Sequence, residues 1–204
     1  QAGQLDQGIE VSRRALEHWD RLQMGTGSEA LNTLNNLAAA HYRQGDMEAA
    51  EATFARALEL RRELFGPSAA TAALIGNYAR VVHRQGRLVE ALALCEEGEI
   101  MALAHAGSVS PLTQALRVTR GEVLLALRRV DEARAALDAV FREDLSGLPA
   151  TLRLRATLGM AEAARLQDDP AAAAAFDQAQ ALADALGTGA AEFEPRLDAL
   201  RRAQ

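Results

Sequence analysis

Apolar and polar residues alternate along this chain in blocks of helical length, which are separated by short, turn-like segments. The clearest pair of blocks spans Leu34–Ala57 and meets at Gly45. Small residues recur in it where two helices must approach each other, and larger apolar residues fill the intervals: Ala38, Ala50 and Ala57 are small, and Leu34, Leu37 and Phe54 are large. This pattern predicts two short antiparallel helices joined by a turn at Gly45.

The same pattern returns at a nearly constant interval. A small or apolar residue follows the turn residue at offsets 5, 9 and 12 in each pair of blocks. The turn residues are separated by 42, 41, 42 and 39 positions, and they are Gly3, Gly45, Gly86, Arg128 and Gln167. A fixed period in this range is typical of solenoids, whose helical hairpins bury their apolar faces only by stacking on neighbours.

Turn and capping residues place the helices along the chain. Ser28, Ser68 and Ser110 stand where N-caps are expected, and Pro111 follows Ser110 at the first helical position. Breaks are predicted at Gly66–Pro67, Gly107 and Gly187–Gly189, and a last short helix is expected to start near Pro195. The predicted helices are 4–23, 29–43, 46–63, 69–84, 87–105, 111–127, 130–143, 149–166 and 170–186.

With these elements in place, the chain resembles a tetratricopeptide repeat (TPR) array of the kinesin-light-chain type. The resemblance is carried by the long period, by the run Leu34–Ala38 and by Phe65-Gly66-Pro67 after the second helix of a pair. It implies an all-α fold, a right-handed superhelical solenoid of antiparallel helix pairs. Arrays of this kind are also common in bacterial signalling ATPases and regulators.

We interpret the whole chain, residues 1–204, as a single TPR domain. Its predicted parts are a half repeat at 1–23, repeats at 28–66, 68–106, 110–146 and 149–187, and a C-terminal cap at 190–204. The fourth repeat can be aligned in two ways, because Asp168-Asp169-Pro170 resembles the usual Gly-Asp-Pro turn. We prefer Gln167 as its turn residue, since this choice puts Phe176 and Ala179 at packed positions.

The composition of the chain argues against some classes of partner and indicates a cellular compartment. The net charge is −6 and the pI is near 5.3, so we expect no general nucleic-acid binding, which requires a basic surface. No apolar run approaches the 18 residues of a membrane span, so no membrane partner is expected. The single cysteine, Cys95, cannot form an internal disulfide, which favours a cytoplasmic protein. All 22 basic residues are arginine, a usage typical of GC-rich bacterial genomes.

The first predicted helix lacks the partner that its repeat position would require. Its small face, formed by Gly8, Ser12 and Ala15, would normally press against a preceding helix. We therefore hypothesise that the native chain continues N-terminally, or that another molecule covers this face and makes a homo-oligomer. The alternative is that this helix is simply a frayed end cap.

The resemblance also indicates where a ligand would bind, because the first helix of each TPR pair lines a concave groove. The predicted peptide-binding residues are Asn32, Asn35, Asn36, Tyr42, Arg43, Asn77, Arg80, His83 and Arg84. The third repeat contributes a more apolar set to the same groove: Ala115, Val118, Thr119, Glu122 and Leu125. Val118, Leu125 and Ala115 could accept an apolar side chain of the ligand, although packing against the next helix is the better interpretation of Leu125. Arg165 is the candidate from the fourth repeat.

Two residue types in this set suggest the ligand. Asparagine is a poor residue in helix interiors, and carboxamides both donate and accept, so Asn35, Asn36 and Asn77 are expected to clamp the main chain of an extended peptide. The alternative is that they bond to neighbouring helices or to water. Arg43, Arg80 and Arg84 suit an acidic peptide or a C-terminal carboxylate, and the alternative for them is ordinary surface pairing.

The sequence offers no candidate for catalysis. No nucleophile and base stand together, no histidine pair has metal-ligand spacing, and we expect no enzyme activity, metal or cofactor. His41 is interpreted as a satisfied core histidine, Cys95 as a small core residue and Glu96–Glu99 as a solvated face.

We therefore predict a protein-interaction module that binds a peptide or partner segment, as part of a bacterial regulator or scaffold. One alternative is a structural or regulatory segment that self-associates or docks on other domains of a longer chain. A more distant one is a sensor of a small anionic metabolite that uses the arginine cluster alone.

Overall fold

The computed structural model describes residues 2–21, 27–143 and 145–202, and this part of the chain forms helices and no strands. The predicted all-α architecture of consecutive antiparallel helix pairs is confirmed. Two 3-10 segments, Leu145–Gly147 and Gly187–Phe193, separate some of the later helices. The α-helices are α1 Ala2–Arg21, α2 Ser28–Gln44, α3 Met47–Phe65, α4 Ala69–Arg84, α5 Leu88–Ala106, α6 Pro111–Ala126, α7 Val130–Phe141, α8 Ala150–Leu166, α9 Ala172–Leu186 and α10 Glu194–Arg201.

The chain divides into two compact units, residues 1–106 and 107–204. In the first unit, α2 packs on α3 and α4 packs on α5, so that each pair is a hairpin. Its core combines small residues with a few large ones, as the sequence predicts: Leu31, Leu34, Ala38, Ala50, Phe54, Ala57 and Ile75 are all buried. Ile9 of α1 is buried against Leu37 and Ala40 of α2.

The second unit repeats the hairpin twice and then closes on itself. Helix α6 packs on α7, and α8 packs on α9. Helix α10 lies against α8 and α9 and buries Leu197 and Leu200 in the same core as Phe176 and Ala179. The predicted short helix near Pro195 is thus confirmed, with the proline in its first turn.

Two of the three predicted N-caps form as expected. The Ser68 hydroxyl accepts a hydrogen bond from the Thr71 N–H, and Ser110 accepts one from Thr113. The prediction for Ser28 is wrong, because α2 already includes Ser28 and its N-cap is Gly27. The last two residues of the predicted helix 4–23 lie outside the described residues. The break predicted at Gly187–Gly189 is a 3-10 helix that continues directly from α9.

The turns within the hairpins all contain a residue with left-handed backbone. In the first two full repeats this residue is glycine, with φ of 91° at Gly45 and 79° at Gly86. The next two repeats place Arg128 and Asp168 in the same conformation, at 64° and 52°. A side chain makes this conformation unfavourable by roughly 1–2 kcal/mol, so these two turns are held by the helices on either side.

The fourth repeat combines the two alignments that the sequence allows. Its left-handed residue is Asp168, one position later than the predicted Gln167. The packed residues nevertheless follow the Gln167 alignment, because Phe176 and Ala179 are both buried. The connection between the turn residue and the first packed positions is therefore one residue shorter than in the other repeats.

Candidate functional site

Helices α2 and α4, each the first helix of its pair, carry a set of polar residues that we call the A-helix face: Asn32, Asn35, Asn36, Tyr42, Arg43, Asn77, Arg80, His83 and Arg84. The face joins the two helices through Asn35 and Asn77: the Asn77 Nδ2 donates to the Asn35 Oδ1 at 3.2 Å. This is the inter-helix bond that the sequence left as the alternative to ligand binding. It uses one donor of Asn77 and one acceptor of Asn35, and each carboxamide has further capacity. Within the described part of the chain, neither the Asn35 Nδ2 nor the Asn77 Oδ1 has a hydrogen-bond partner.

Tyr42 is the aromatic centre of this face. The guanidinium carbons of Arg80 and Arg84 lie 4.9 and 5.1 Å from the centroid of its ring, within the range of cation–π contacts. Both arginines come from α4, whereas Tyr42 belongs to α2, so this cluster also bridges the two helices. Arg43 lies on α2 and is exposed, and its Nε donates to the Ala39 carbonyl at 3.4 Å.

These three arginines differ from Arg62 and Arg87 of the same unit in their charge balance. Among the described residues, no carboxylate forms an ion pair with Arg43, Arg80 or Arg84. By contrast, Arg62 pairs with Glu97, and Arg87 pairs with Glu51 and Glu90. Hydrogen bonds from Arg87 and Gln85 lower the pKa of Glu51 despite its partial burial, as expected for a compensated charge. The A-helix face therefore carries positive charge that no side chain of the described chain neutralises.

The remaining predicted binding residues lie on the same two helices. Asn32 and Asn36 are exposed on α2, and His83 is half-buried on α4. All nine predicted residues thus belong to the first unit. The structure brings Asn35 into contact with Asn77, and it brings Tyr42 into contact with Arg80 and Arg84. Their role in binding stays a prediction.

The apolar surface predicted for the third repeat does not form at Val118 and Leu125. Val118 and Leu125 are buried, α8 packs against α6, and Val118 shares one hydrophobic cluster with Leu152 and Ala156 of α8. The prediction of an exposed apolar site at Val118 is wrong, whereas the packing interpretation of Leu125 is correct. Thr119 is also buried, and Ala115 is half-buried.

An ion network occupies the corresponding face of the second unit. Glu122 of α6 pairs with Arg155 of α8 and with Arg196 of α10, and Arg196 also pairs with Glu162. Burial raises the pKa of Glu122, but the two arginines outweigh it and hold the pKa at about 2. Sequence reasoning missed this network, because its members are 33 to 74 positions apart. Arg165 lies outside it, exposed at the rim of a hollow of about 350 Å³ above Phe176 and Leu200.

Three other predicted positions have clear outcomes. His41 is buried as predicted, but its Nδ1 makes no hydrogen bond among the described residues and lies 3.9 Å from the Asp46 carboxylate, so the histidine is not fully satisfied. Cys95 is completely buried, as expected of a small core residue. The solvated face predicted at Glu96–Glu99 is only partly correct, because Glu99 is buried.

The described residues contain no group of three histidine, cysteine or acidic side chains that could hold a metal ion. Within the same residues, no helix is both long enough and apolar enough to cross a membrane. The site thus consists of carboxamides, one aromatic ring and uncompensated guanidinium groups on paired helices. The stacked helix pairs that carry these residues define the class of helical-repeat scaffolds.

Comparison with known proteins identifies the family within this class. One tetratricopeptide repeat model matches residues 1–63 and 29–99, and a second matches residues 118–187. The chain belongs to the tetratricopeptide repeat family, whose repeats form protein-interaction scaffolds. No curated protein sequence matches it.

Solved structures with the same fold include two crystal structures of kinesin-light-chain TPR-like repeats from Podospora anserina. The chain superposes on them with TM-scores of 0.73 and 0.71 at 19% identity, covering 89% of this chain and 88% of each of theirs. BtubC (BKLC) from P. vanneervenii gives a TM-score of 0.70 at 19% identity, with 98% of this chain and 84% of that chain covered. At this level of identity the likeness supports the fold alone.

Proposed function

We propose that this chain is a peptide-binding module whose A-helix face holds an extended, acidic segment of a partner protein. The observation that carries the proposal is the uncompensated charge of Arg43, Arg80 and Arg84. Elsewhere in the first unit, Arg62 and Arg87 are neutralised by glutamates of the same chain. A carboxylate-bearing ligand would supply the missing counter-charge to the A-helix face, and guanidinium groups bind carboxylates through paired hydrogen bonds.

Asn35 and Asn77 add hydrogen bonds to the main chain of the peptide, whereas the arginines bind its acidic groups. The bond between Asn77 and Asn35 fixes both carboxamides across α2 and α4. The amide group that remains on Asn35 can donate to a peptide carbonyl, and the oxygen of Asn77 can accept from a peptide N–H. Because the two side chains are already ordered, little conformational entropy is lost when a peptide binds.

Tyr42 positions the guanidinium groups of Arg80 and Arg84. Its ring keeps the Arg80 and Arg84 side chains over α2, where they would otherwise sample many rotamers. In this arrangement the aromatic ring and the two guanidinium groups form one platform for an acidic side chain or a C-terminal carboxylate. We further propose that the module belongs to a bacterial regulator or scaffold, on the ground of the arginine-only composition, and that it is cytoplasmic, on the ground of its single cysteine.

The variant Asn35→Ala/Asn77→Ala tests the main-chain clamp. We expect it to weaken binding of an acidic peptide by at least about tenfold, since it removes the hydrogen bonds that orient the peptide. The stability loss should be about 1 kcal/mol, the usual contribution of one partly buried hydrogen bond. Fluorescence anisotropy with a labelled, aspartate-rich peptide measures the first effect, and urea unfolding followed by circular dichroism measures the second.

A charge-matched pair of variants tests the electrostatic part. Arg80→Gln/Arg84→Gln should abolish most of the binding and its salt dependence, whereas Arg14→Gln/Arg62→Gln removes the same charge elsewhere and should leave affinity unchanged. Equal weakening by both pairs would mean that net charge, not the A-helix face, attracts the peptide. Unaltered affinity in the Asn35→Ala/Asn77→Ala variant would show that the peptide does not bind at the A-helix face.

A second candidate function is self-association through α1, and it is supported by the exposure of that helix. Val11 has 61% of its surface exposed, and a methyl group added at Gly8 would meet no atom within 4 Å. Sedimentation equilibrium should then show a dimer that Val11→Asp converts to monomer. A monomer at high concentration would exclude this function while leaving the peptide-binding proposal untouched.

A further inference from the structure

Helix α5 carries an apolar stripe on its solvent side. Val89, Ile100 and Leu103 have 76%, 70% and 40% of their surfaces exposed. Ala93 and Glu96 are exposed between them, and the five residues together are named the α5 stripe. Their spacing is 4, 3, 4 and 3, so they form a straight seam about 21 Å long along the helix.

The other repeats show that this composition is unusual for the position. Counted from the turn residue, the stripe occupies offsets 3, 7, 10, 14 and 17, and the same offsets in α3 hold Glu48, Ala52, Ala55, Glu59 and Arg62, all exposed. In α7 they include Asp131 and Asp138, and in α9 Asp177 and Asp184. The equivalent positions of the other helices hold charged residues and alanines, whereas α5 has the large apolar residues Val89, Ile100 and Leu103 there.

A hollow lies beside the stripe and provides a place for an inserted side chain. It measures about 290 Å³ and is lined by Pro67 from the α3–α4 connection and by one edge of α5. The α5 residues that line it are Glu97, Ile100, Met101, Ala104 and His105. Ile100 thus belongs both to the stripe and to the wall of the hollow, as expected where a knob of a second helix fits into a hole.

The spacing and the charges together define the occupant. Alternating intervals of 3 and 4 match the seam of a two-helix coiled coil, so the complementary surface is an amphipathic helix. Glu90 and Glu97 flank the stripe but are paired with Arg87 and Arg62. Glu96 lies on the stripe and forms no ion pair within the described residues, and it calls for a basic residue on the partner.

The position of Glu96 also argues against a second copy of this chain. It is the middle residue of the stripe, with two stripe residues on either side. Two copies of α5 that pair antiparallel about a two-fold axis would place one Glu96 directly against the other. Like charges facing each other across an apolar seam are destabilising, so the self-paired arrangement is disfavoured.

We propose that the α5 stripe is a docking site for an amphipathic helix of another protein, with an arginine or lysine opposite Glu96 and an apolar anchor beside Ile100. This site is separate from the A-helix face, so one chain can hold an extended peptide and a helix at different surfaces.

A pair of synthetic helices tests the proposal. Each is about 21 residues long with leucine along one seam, and the central seam position is arginine in one and glutamate in the other. The central position meets Glu96 in either orientation, because Glu96 lies at the middle of the stripe. By fluorescence anisotropy, the arginine helix should bind the full chain at least about tenfold more tightly than the glutamate helix.

Matched variants locate the binding on α5. Ile100→Asp should reduce the affinity for the arginine helix at least about tenfold, whereas Ala52→Asp adds the same charge to the exposed side of α3 and should not change it. The proposal is overturned if neither helix binds, if both bind equally, or if the two variants have the same affinity.

Sedimentation provides an independent test of the charge argument. Glu96→Leu removes the repelling group and completes the apolar seam, so this variant should dimerise, and Glu96→Leu/Ile100→Asp should return to the sedimentation of the original chain. A Glu96→Leu protein that sediments like the original would overturn the docking seam. An original chain that already dimerises in a manner blocked by Ile100→Asp would make a second copy the occupant and overturn the proposed partner.

Discussion

Replacing Arg155 with alanine is expected to lower the free energy of unfolding by about 3 kcal/mol, because the change removes the main counter-charge of a carboxylate with little access to water. Glu122 and Arg155 have only 10% and 14% of their side chains exposed. Arg155 also donates to the Thr119 hydroxyl at 3.0 Å. Arg196 remains beside Glu122 in the variant, which keeps the loss at the lower end for a broken buried pair.

The same network predicts how stability changes with acidity. The pKa of Glu122 falls from the ordinary 4.5 to about 2 in the folded chain, so the folded state binds fewer protons than the unfolded state between these values. Stability therefore rises with pH across this window. The contribution of Glu122, roughly 3 kcal/mol, is complete above pH 4.5 and is lost as the pH falls towards 2.

Urea unfolding followed by circular dichroism at several pH values measures both effects. The difference between the original chain and Arg155→Ala should shrink as the pH falls, because other acidic groups titrate equally in both proteins. Arg201→Ala, which removes an exposed pair with Asp198, serves as a control and should change little. Parallel loss of stability in the original chain and in Arg155→Ala below pH 4.5 would mean that Glu122 does not govern the acid response.

Truncation of Leu137 is the second change for which we expect a loss of about 3–5 kcal/mol, the range for a leucine removed from a closely packed core. Leu137 of α7 is completely buried. It lies against two glycines of neighbouring helices: a Cβ placed on Gly121 of α6 would be 2.8 Å from its Cγ, and one on Gly159 of α8 would be 2.9 Å from its Cδ1. Leu137→Ala would leave this space empty.

The contact between Gly121 and Leu137 also predicts how the stability effects of two substitutions combine. Gly121→Ala alone should be destabilising, because the added methyl group overlaps Leu137 near its branch point. In the Leu137→Ala background, however, the same methyl group fills vacated space and improves helix propensity, so the double variant should be more stable than Leu137→Ala. Calorimetric melting measures this change of sign.

Gly8→Ala is the control for the effect of alanine on a helix, since no atom lies near the new methyl group at that position. It should raise stability slightly in either background. Strict additivity of Gly121→Ala and Leu137→Ala would contradict the packing that we describe.

Periodicity alone was sufficient to predict most of the fold. Residues such as Ala50, Phe54 and Ala57 repeat at fixed offsets because each hairpin meets the same neighbours, and hydroxyl caps such as Ser68 and Ser110 mark helix starts through local bonds. Ser28 was assigned incorrectly because Gly27, which has no side chain to signal a cap, takes that position. Sequence rules for helix caps thus fail where the N-cap residue has no side chain.

Long-range partners were not predictable in the same way. Nothing in the spacing of Glu122 and Arg196 reveals that α10 returns to α6, so Glu122 was placed in a groove instead of an ion network. The bond between Asn35 and Asn77, by contrast, joins equivalent positions of successive repeats, and the alternative of an inter-helix bond was recognised. The α5 stripe is harder to recognise in the sequence, because the three glutamates within Glu96–Glu99 suggest a fully solvated face.

The burial of Cys95 gives this chain a built-in probe of local unfolding. The thiol is the only one in the sequence and is closed off inside the helix that carries the α5 stripe, so a thiol reagent can reach it only when that helix detaches. The rate of its modification under native conditions therefore reports how often the second repeat opens. A helix docked on Val89, Ile100 and Leu103 would slow that rate in proportion to its occupancy, without any label having to be introduced.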